Sequence, residues 1–339
     1  MVFYKLCDWV DEDKLDFGEL SDNPLAENYL QKHPEKIIWS MYSKIAKDEQ
    51  FLLKNFNNIS WCGLSANPHQ VKLLKINQDK ISWYYLSLNP NEAVISIMKE
   101  NLDKVCWQNI AYNENPKMLE FLFEHPENIF PFTWYYLSSN NTDIAVEHLL
   151  KNQNKIDWSE LSLNDNDKIA NLLIENKDKI NWYHLSKNKN PKIFNLLKEN
   201  KNKIVWSNLC SVNNDEVAKY LIKNSSYINW YVISNNSNDI IVDFILKNLD
   251  KVDLCNLCRN KNPIITDYLS INKNKFSYLY WCQLSNNPNI FKLDYEKIKI
   301  NFEPLAEEII KEVMHPKRIN KYLLNHNYDF IEEMFGYEC

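Results

Sequence analysis

The side chains in this 339-residue sequence with the most obvious capacity for chemistry are its 8 cysteines and 7 histidines. Cys255 and Cys258 form a lone Cys-x-x-Cys, the spacing of half a zinc site or of a redox pair. A plainer reading comes from the repeat developed below. Cys258 occupies the slot that elsewhere holds Ser162, Ser186 and Cys210, and Cys255 a slot shared with Cys62 and Cys282. His33, His69, His125, His148, His184, His315 and His326 show no ligand spacing, and three of them, His33, His125 and His315, precede proline as turn residues do. The carboxylate pairs Glu307-Glu308 and Glu332-Glu333 sit in segments that read as solvated helices, which is no arrangement for acid–base work. No nucleophile motif is present. Glycine occurs only at Gly18, Gly63 and Gly336, so no phosphate-cradling loop can be built. The expectation is a non-enzymatic protein with no catalytic, cofactor-binding or metal-ligating residue.

The elements that position these residues follow from self-similarity. Anchors stand at Phe17, Trp39, Trp61, Trp83, Trp107, Trp134, Trp158, Trp182, Trp206, Trp230, Leu254 and Trp281, in steps of 22, 22, 22, 24, 27, 24, 24, 24, 24, 24 and 27 residues. Twelve units follow. Three residues after an anchor comes an apolar residue such as Leu64 or Leu185, the next position is usually serine, and six residues after the anchor an asparagine recurs: Asn23, Asn67, Asn89, Asn113, Asn140, Asn164, Asn188, Asn236, Asn260 and Asn287. Ile45 and Val212 break that series.

Each unit translates into a helical hairpin. Asn181 caps a first helix of about two turns, with Ile180 and Leu185 placed as a hydrophobic staple. Asp16, Ser60, Ser82, Thr133, Asp157 and Asn229 take the same cap position. Asn188 is expected to end the first helix through its tolerance of left-handed backbone, and Asn190 to cap a second helix opening at Pro191. Asn115-Pro116, Asn166-Asp167, Asn238-Asp239 and Asn262-Pro263 repeat that start. In the 22-residue units the start is placed at Asn67-Pro68, with the missing residues taken from the turn. Ile193, Leu196 and Leu197 line one face of the second helix, as Ile169, Leu172 and Leu173 do, and Asn200 closes it, as do Asn152, Asn176, Asn224 and Asn248. Helices this short are unstable alone, so each unit must bury its Trp and Leu against the next. The predicted fold is all-α: a solenoid of about twelve two-helix repeats of 22–27 residues with terminal capping helices. Its parts are an amino-terminal cap over residues 1–14, tandem hairpins over 15–294 and a carboxy-terminal helical cap over 295–339, with helices starting near Pro304 and after Pro316. Packed helices lie ~8–10 Å apart, so twelve stacked units predict a curved, elongated monomeric rod roughly 100 Å long.

The unit Trp-x-x-Leu-Ser-x-Asn-x-Asn-Pro, followed by an aliphatic helix and Asn-Lys-Asp-Lys-Ile, resembles the short tandem repeats of paralogous proteins from giant double-stranded DNA viruses, loosely described as ankyrin-like. The segment around His315, Pro316, Lys317, Arg318, Ile319 and Tyr322 is similar to the one that often follows those repeats. Ankyrin's own signature is absent. The resemblance implies a viral interaction protein in host cytoplasm or in the virion. A formal charge of −6 argues against a chain built to neutralise phosphates. No stretch approaches the ~18 apolar residues of a membrane span, Met1 to Asp13 lack a secretory pattern, and the scattered cysteines suit a reducing compartment. The leading expectation is a protein-binding scaffold; a virion structural or tegument-like component and an RNA-binding helical repeat stand as alternatives.

Two surface patterns bear on binding. Tyr84-Tyr85, Tyr135-Tyr136, Tyr183-His184 and then Tyr231 follow the anchor in every second unit. They either fill gaps between units, the alternation reflecting duplication of a two-unit block, or form a ridge of amphipathic anchors for a protein partner. Lys80, Lys104, Lys155, Lys179, Lys203 and Lys251 each stand three residues before an anchor, where they would complement helix dipoles beside Asp79, Asp103, Asp178 and Asp250.

Overall fold

The computed structural model describes residues 3–313. Two compact units emerge: Leu6–Phe291, and Met1–Lys5 together with Lys292–Cys339. The smaller unit holds most of a two-stranded sheet formed by Tyr4–Leu6 and Phe291–Leu293, and the helix Tyr295–Val313. That helix begins upstream of the Pro304 start expected from sequence and carries Pro304 inside it. Asp294 explains the earlier start, since its Oδ1 accepts the Lys297 N–H at 3.2 Å as an N-cap does. The segment after Pro316 lies outside the described residues.

Leu6–Phe291 is an all-α helical-repeat solenoid. The unit around Trp182 is representative: a first helix Trp182–Leu185, a second helix Pro191–Glu199, then the single 3-10 turn Lys201–Lys203 leading to the next anchor. Asn181 caps the first helix by accepting from Tyr183 and His184 N–H, and Asn190 caps the second by accepting from Lys192 N–H. Asn115, Asn166, Asn238 and Asn262 cap the same way. The staple pair Ile180 and Leu185 is buried, as are Ile193, Leu196 and Leu197.

Three ladders join each unit to its neighbour. In the first, the serine four residues after the anchor donates back to the anchor carbonyl and accepts the cap N–H of the following unit. Thus Ser162 Oγ donates to Trp158 O at 2.8 Å and accepts from Asn181 N at 3.1 Å. The second is made by the buried asparagines. Asn164 Nδ2 donates to Ser138 O and Asn140 O, both in the preceding unit, while its Oδ1 accepts from Asn166 N. All ten asparagines of the series repeat this pattern, from Asn67 onto Ser43 and Ala46 through to Asn287 onto Cys258 and Asn260. In the third, a lysine three residues before an anchor lies over the preceding unit's Trp: Lys80 over Trp61, Lys104 over Trp83, Lys155 over Trp134, Lys179 over Trp158, Lys203 over Trp182 and Lys251 over Trp230.

All three ladders continue from the last unit into the first. Asp16 N–H donates to Ser285 Oγ at 2.9 Å. Asn23 Nδ2 donates to Ser285 O and Asn287 O at 3.1 and 3.2 Å. Lys14, three residues before Phe17, lies 5.7 Å from the Trp281 ring centroid, and the helix Phe17–Ser21 packs on the helix Tyr278–Ser285. The repeat is therefore a closed ring of twelve units, and the elongated rod expected from sequence is corrected. The residues expected to lid a free end lie over Trp281 instead, with the Trp9 ring 6.4 Å from it. Leu15 is buried there as Ile81 and Ile180 are in their own units.

Four local expectations also change. The ladder asparagines do not adopt left-handed backbone; Asn67, Asn140 and Asn260 have φ of −78°, −79° and −64°. Their recurrence at that position comes from the amide, which reaches two carbonyls of the neighbour. The asparagines that close second helices are likewise not left-handed, since Asn200 has φ −118° and donates its Nδ2 to Leu196 O. In the 22-residue units the missing residues come out of the second helix, which at Val71–Ile76 has 6 residues against 9 at Pro191–Glu199, and Asn67 is a ladder residue rather than its cap. The two 27-residue steps place their extra residues at the start of the first helices Pro131–Ser139 and Tyr278–Ser285. Thr133 accordingly lies inside a helix, accepting from Phe130 N–H, and Ser82 makes no side-chain cap bond. Only Trp134 and Trp281, the anchors preceded by that extra turn, are buried; the other tryptophans are half-buried, and all eight of the remaining tryptophan anchors have a lysine ammonium or an aromatic ring against them.

Candidate binding face

A first helix buries the positions three and four residues after its anchor, which leaves positions one, two and five residues after it on a common open side. Around twelve units these are thirty-six positions, and only Glu19, Asp22, Lys44, Glu160, Lys187 and Arg259 among them are charged. The second helices present the charged surface instead, with Lys117–Glu120 and Lys219–Glu216 pairs on their exposed sides. One cavity of about 390 Å³ is lined by Asn235, Arg259, Lys261, Gln283, Asn286 and Glu19, from the tenth, eleventh, twelfth and first units. The first helices Trp39–Ile45 and Trp61–Ala66, and Leu254–Arg259 and Tyr278–Ser285, pack on each other more closely than the longer second helices do, with no room for a Cβ between Gly63 and Ser40 O. In a closed ring the more closely spaced layer is the inner one, so this first-helix face is the inner wall of the ring.

The tyrosines of the alternating pattern stand on that wall. Tyr84 is 54% exposed, Tyr183 53% and Tyr231 62%, which removes them from the gaps between units. Tyr85 and Tyr135 are exposed as well and Tyr136 is half-buried. Tyr135 donates its hydroxyl to Glu160 Oε1 at 2.9 Å, and that bond holds the phenol above its ordinary pKa. His184 differs from the others. Its Nδ1 lies 2.9 Å from Ser159 O in the preceding unit, and because a carbonyl only accepts, the proton sits on Nδ1. Its role is to join units, and the same contact is made by Asn109 onto Tyr84 O, Asn208 onto Tyr183 O and Asn256 onto Tyr231 O.

Those bonds meet an unpaired carbonyl. A first helix of 4 residues, such as Trp83–Leu86, leaves the carbonyl after the anchor without an intrahelical partner. The next unit supplies a donor two residues after its own anchor, an asparagine at Asn109, Asn208 and Asn256 and an imidazole at His184. Tyr112 and Phe132, outside the alternating pattern, add to the pair Tyr135-Tyr136. Phe132 stacks on Tyr135 at 5.5 Å and meets Tyr136 at 5.2 Å, while Tyr112 meets Tyr136 at 6.0 Å. Tyr112 and Phe132 are 60% and 58% exposed, so units five and six carry a continuous cluster of four rings, of which only Tyr136 is half-buried.

Among the described residues the cysteines range from buried at Cys210 and Cys258 to exposed at Cys62. Cys258 is fully buried in a serine slot, and burial pushes its thiol up to about 12. Burial also raises Cys255. Among the described residues no group of three or more His, Cys, Asp or Glu side chains could hold a metal ion, and no helix is long and apolar enough to cross a membrane. No family model, curated protein or solved structure matches this chain.

Proposed function

We propose that this protein is a non-enzymatic protein-binding scaffold whose docking surface is the inner wall of the ring, serving a virus either within host cytoplasm or packaged in its virion. The observation that carries the reading is the cluster of Tyr112, Phe132 and Tyr135, three rings exposed to solvent and gathered about the half-buried ring of Tyr136. Contiguous exposed apolar surface on a folded protein marks an interaction site, and tyrosine offers large contact area with few rotors to freeze. Nucleic acid is a poor fit, because the recurring lysines are committed to tryptophan faces and the net charge is −6.

The test is recovery of a partner from infected cells with native chain and with a Tyr84→Ser, Tyr135→Ser, Tyr183→Ser triple variant. Loss of the partner with a melting temperature unchanged within a few degrees supports the reading. Early unfolding of the triple variant, with binding lost only in step with folding, contradicts it.

A further inference from the structure

The cavity beside the seam is lined by polar residues alone, and its donors outnumber its acceptors. Arg259 is the sole arginine among the described residues. Its Nε donates to Gln283 Oε1, which fixes the plane of the guanidinium and leaves the two terminal amino groups uncommitted. Because a guanidinium only donates, Gln283 turns its oxygen to Arg259 and keeps its Nε2 hydrogens for another partner. Ser237 Oγ accepts from Asn213 Nδ2 at 3.1 Å and so still has its proton to give. The Lys261 ammonium and the Asn235 amide make no hydrogen bond among the described residues, and neither Arg259 nor Lys261 forms an ion pair among them. The single carboxylate there, Glu19, is met by Asn286 Nδ2 at 3.4 Å.

Three consecutive units thus bring unspent donors to one concavity, two of them charged. Such a surplus calls for a compact anion with several oxygens. A carboxylate offers one charge and two oxygens, whereas a phosphoryl group near neutral pH carries about −1.5 to −2 charges on three strong acceptor oxygens. The second matches two cations and three neutral donors better. Small-molecule sites span ~300–1,000 Å³, so a cavity of about 390 Å³ has room for an organic group beside the phosphate. We propose that this cavity binds a small phosphomonoester, with Arg259 as the bidentate fork, Lys261 as the second charge and Asn235, Ser237 and Gln283 as neutral donors. The open first-helix slots of units nine, ten, twelve and one carry no cation, so one phosphoryl group is held rather than a nucleic-acid backbone. The site shares no residue with the aromatic cluster and does not depend on the protein-binding reading.

The test is isothermal titration of the full chain at fixed ionic strength with phenyl phosphate, inorganic phosphate and glutarate. Phenyl phosphate should bind once per chain with a Kd below about 1 mM, inorganic phosphate more weakly, and glutarate about tenfold more weakly than phenyl phosphate. Arg259→Gln should weaken phenyl phosphate by about tenfold or more with an unchanged circular dichroism spectrum. Should that variant fail to fold, Asn235→Asp serves: the Asn235 side chain supports no contact of the ring, and a carboxylate placed there should repel the phosphate and abolish binding. Unchanged affinity in either folded variant, many weak sites per chain, or no binding of phenyl phosphate at about 10 mM overturns the proposal. Glutarate binding as tightly as phenyl phosphate overturns it in favour of a carboxylate ligand, and inorganic phosphate binding as tightly overturns it in favour of the free ion.

Discussion

Removing one rung of the asparagine ladder should cost far more than removing an asparagine amide that only closes a second helix. Asn164 is fully buried. It donates to Ser138 O at 3.1 Å and Asn140 O at 2.9 Å, and accepts from Asn166 N at 3.1 Å. A net contribution of about 1 kcal/mol per bond gives ~3 kcal/mol, and a further 1–2 kcal/mol is expected because Asn164→Ala leaves buried carbonyls unpartnered, for a total of about 4 kcal/mol. Asn152 supplies the comparison. It is half-buried and its amide makes one bond, to His148 O at 2.8 Å, so Asn152→Ala should cost about 1 kcal/mol. Urea unfolding followed by circular dichroism measures both, and a ring has no free end from which units can fray before the main transition. If Asn164→Ala costs no more than Asn152→Ala, the ladder does not hold the units together and the account of the fold is wrong.

Three further outcomes follow from the same contacts. Val212 fills the ladder slot opposite the carbonyls of Ser186 and Asn188, so Val212→Asn should restore a rung and raise stability by about 1–2 kcal/mol in the same urea assay; a loss would mean the slot is shaped for valine. Lys179, 4.5 Å from the Trp158 ring centroid, should lower stability by about 0.5–1 kcal/mol when changed to alanine, with altered tryptophan emission, and unchanged emission would place the ammonium in solvent. Cys62 is exposed whereas Cys258 is buried with its thiol pushed up to about 12, so a thiol reagent at neutral pH should label Cys62 quickly and Cys258 only on unfolding; mass spectrometry showing the reverse order would refute the packing role given to Cys258.

The repeat, its caps and its apolar faces were readable from sequence because each is a local pattern: Asn181 before Trp182, Ile180 against Leu185, Asn190 before Pro191. The closure was not, because the contacts that join the last unit to the first are the same contacts that join any two. A signal was present all the same. Lys14, Leu15 and Asp16 supply a complete unit start with no unit before it, and Leu20 and Leu30 are as fully buried as internal residues, whereas an exposed end repeat would carry a polar outer face. The lysine series was visible and its partner was not, since a lysine three residues before one tryptophan reads as local until stacking sets it over the previous one. On the inner wall, the tyrosines after each anchor were legible from their period. Tyr112 and Phe132 were not, one lying five residues after its anchor and the other in the extra turn of a longer unit. The Arg259 cavity had no sequence signal, because four separate units build it.

The closed ring is tested most directly at Asn23, the rung that spans the seam. Its amide donates to Ser285 O and Asn287 O as internal rungs donate to their neighbours, and it is fully buried. Measured by urea unfolding, Asn23→Ala should therefore cost about as much as Asn164→Ala, ~4 kcal/mol. An open solenoid would leave Asn23 on the outer surface of its first unit, and a cost near zero for Asn23→Ala, with Asn164→Ala still severe, would contradict closure.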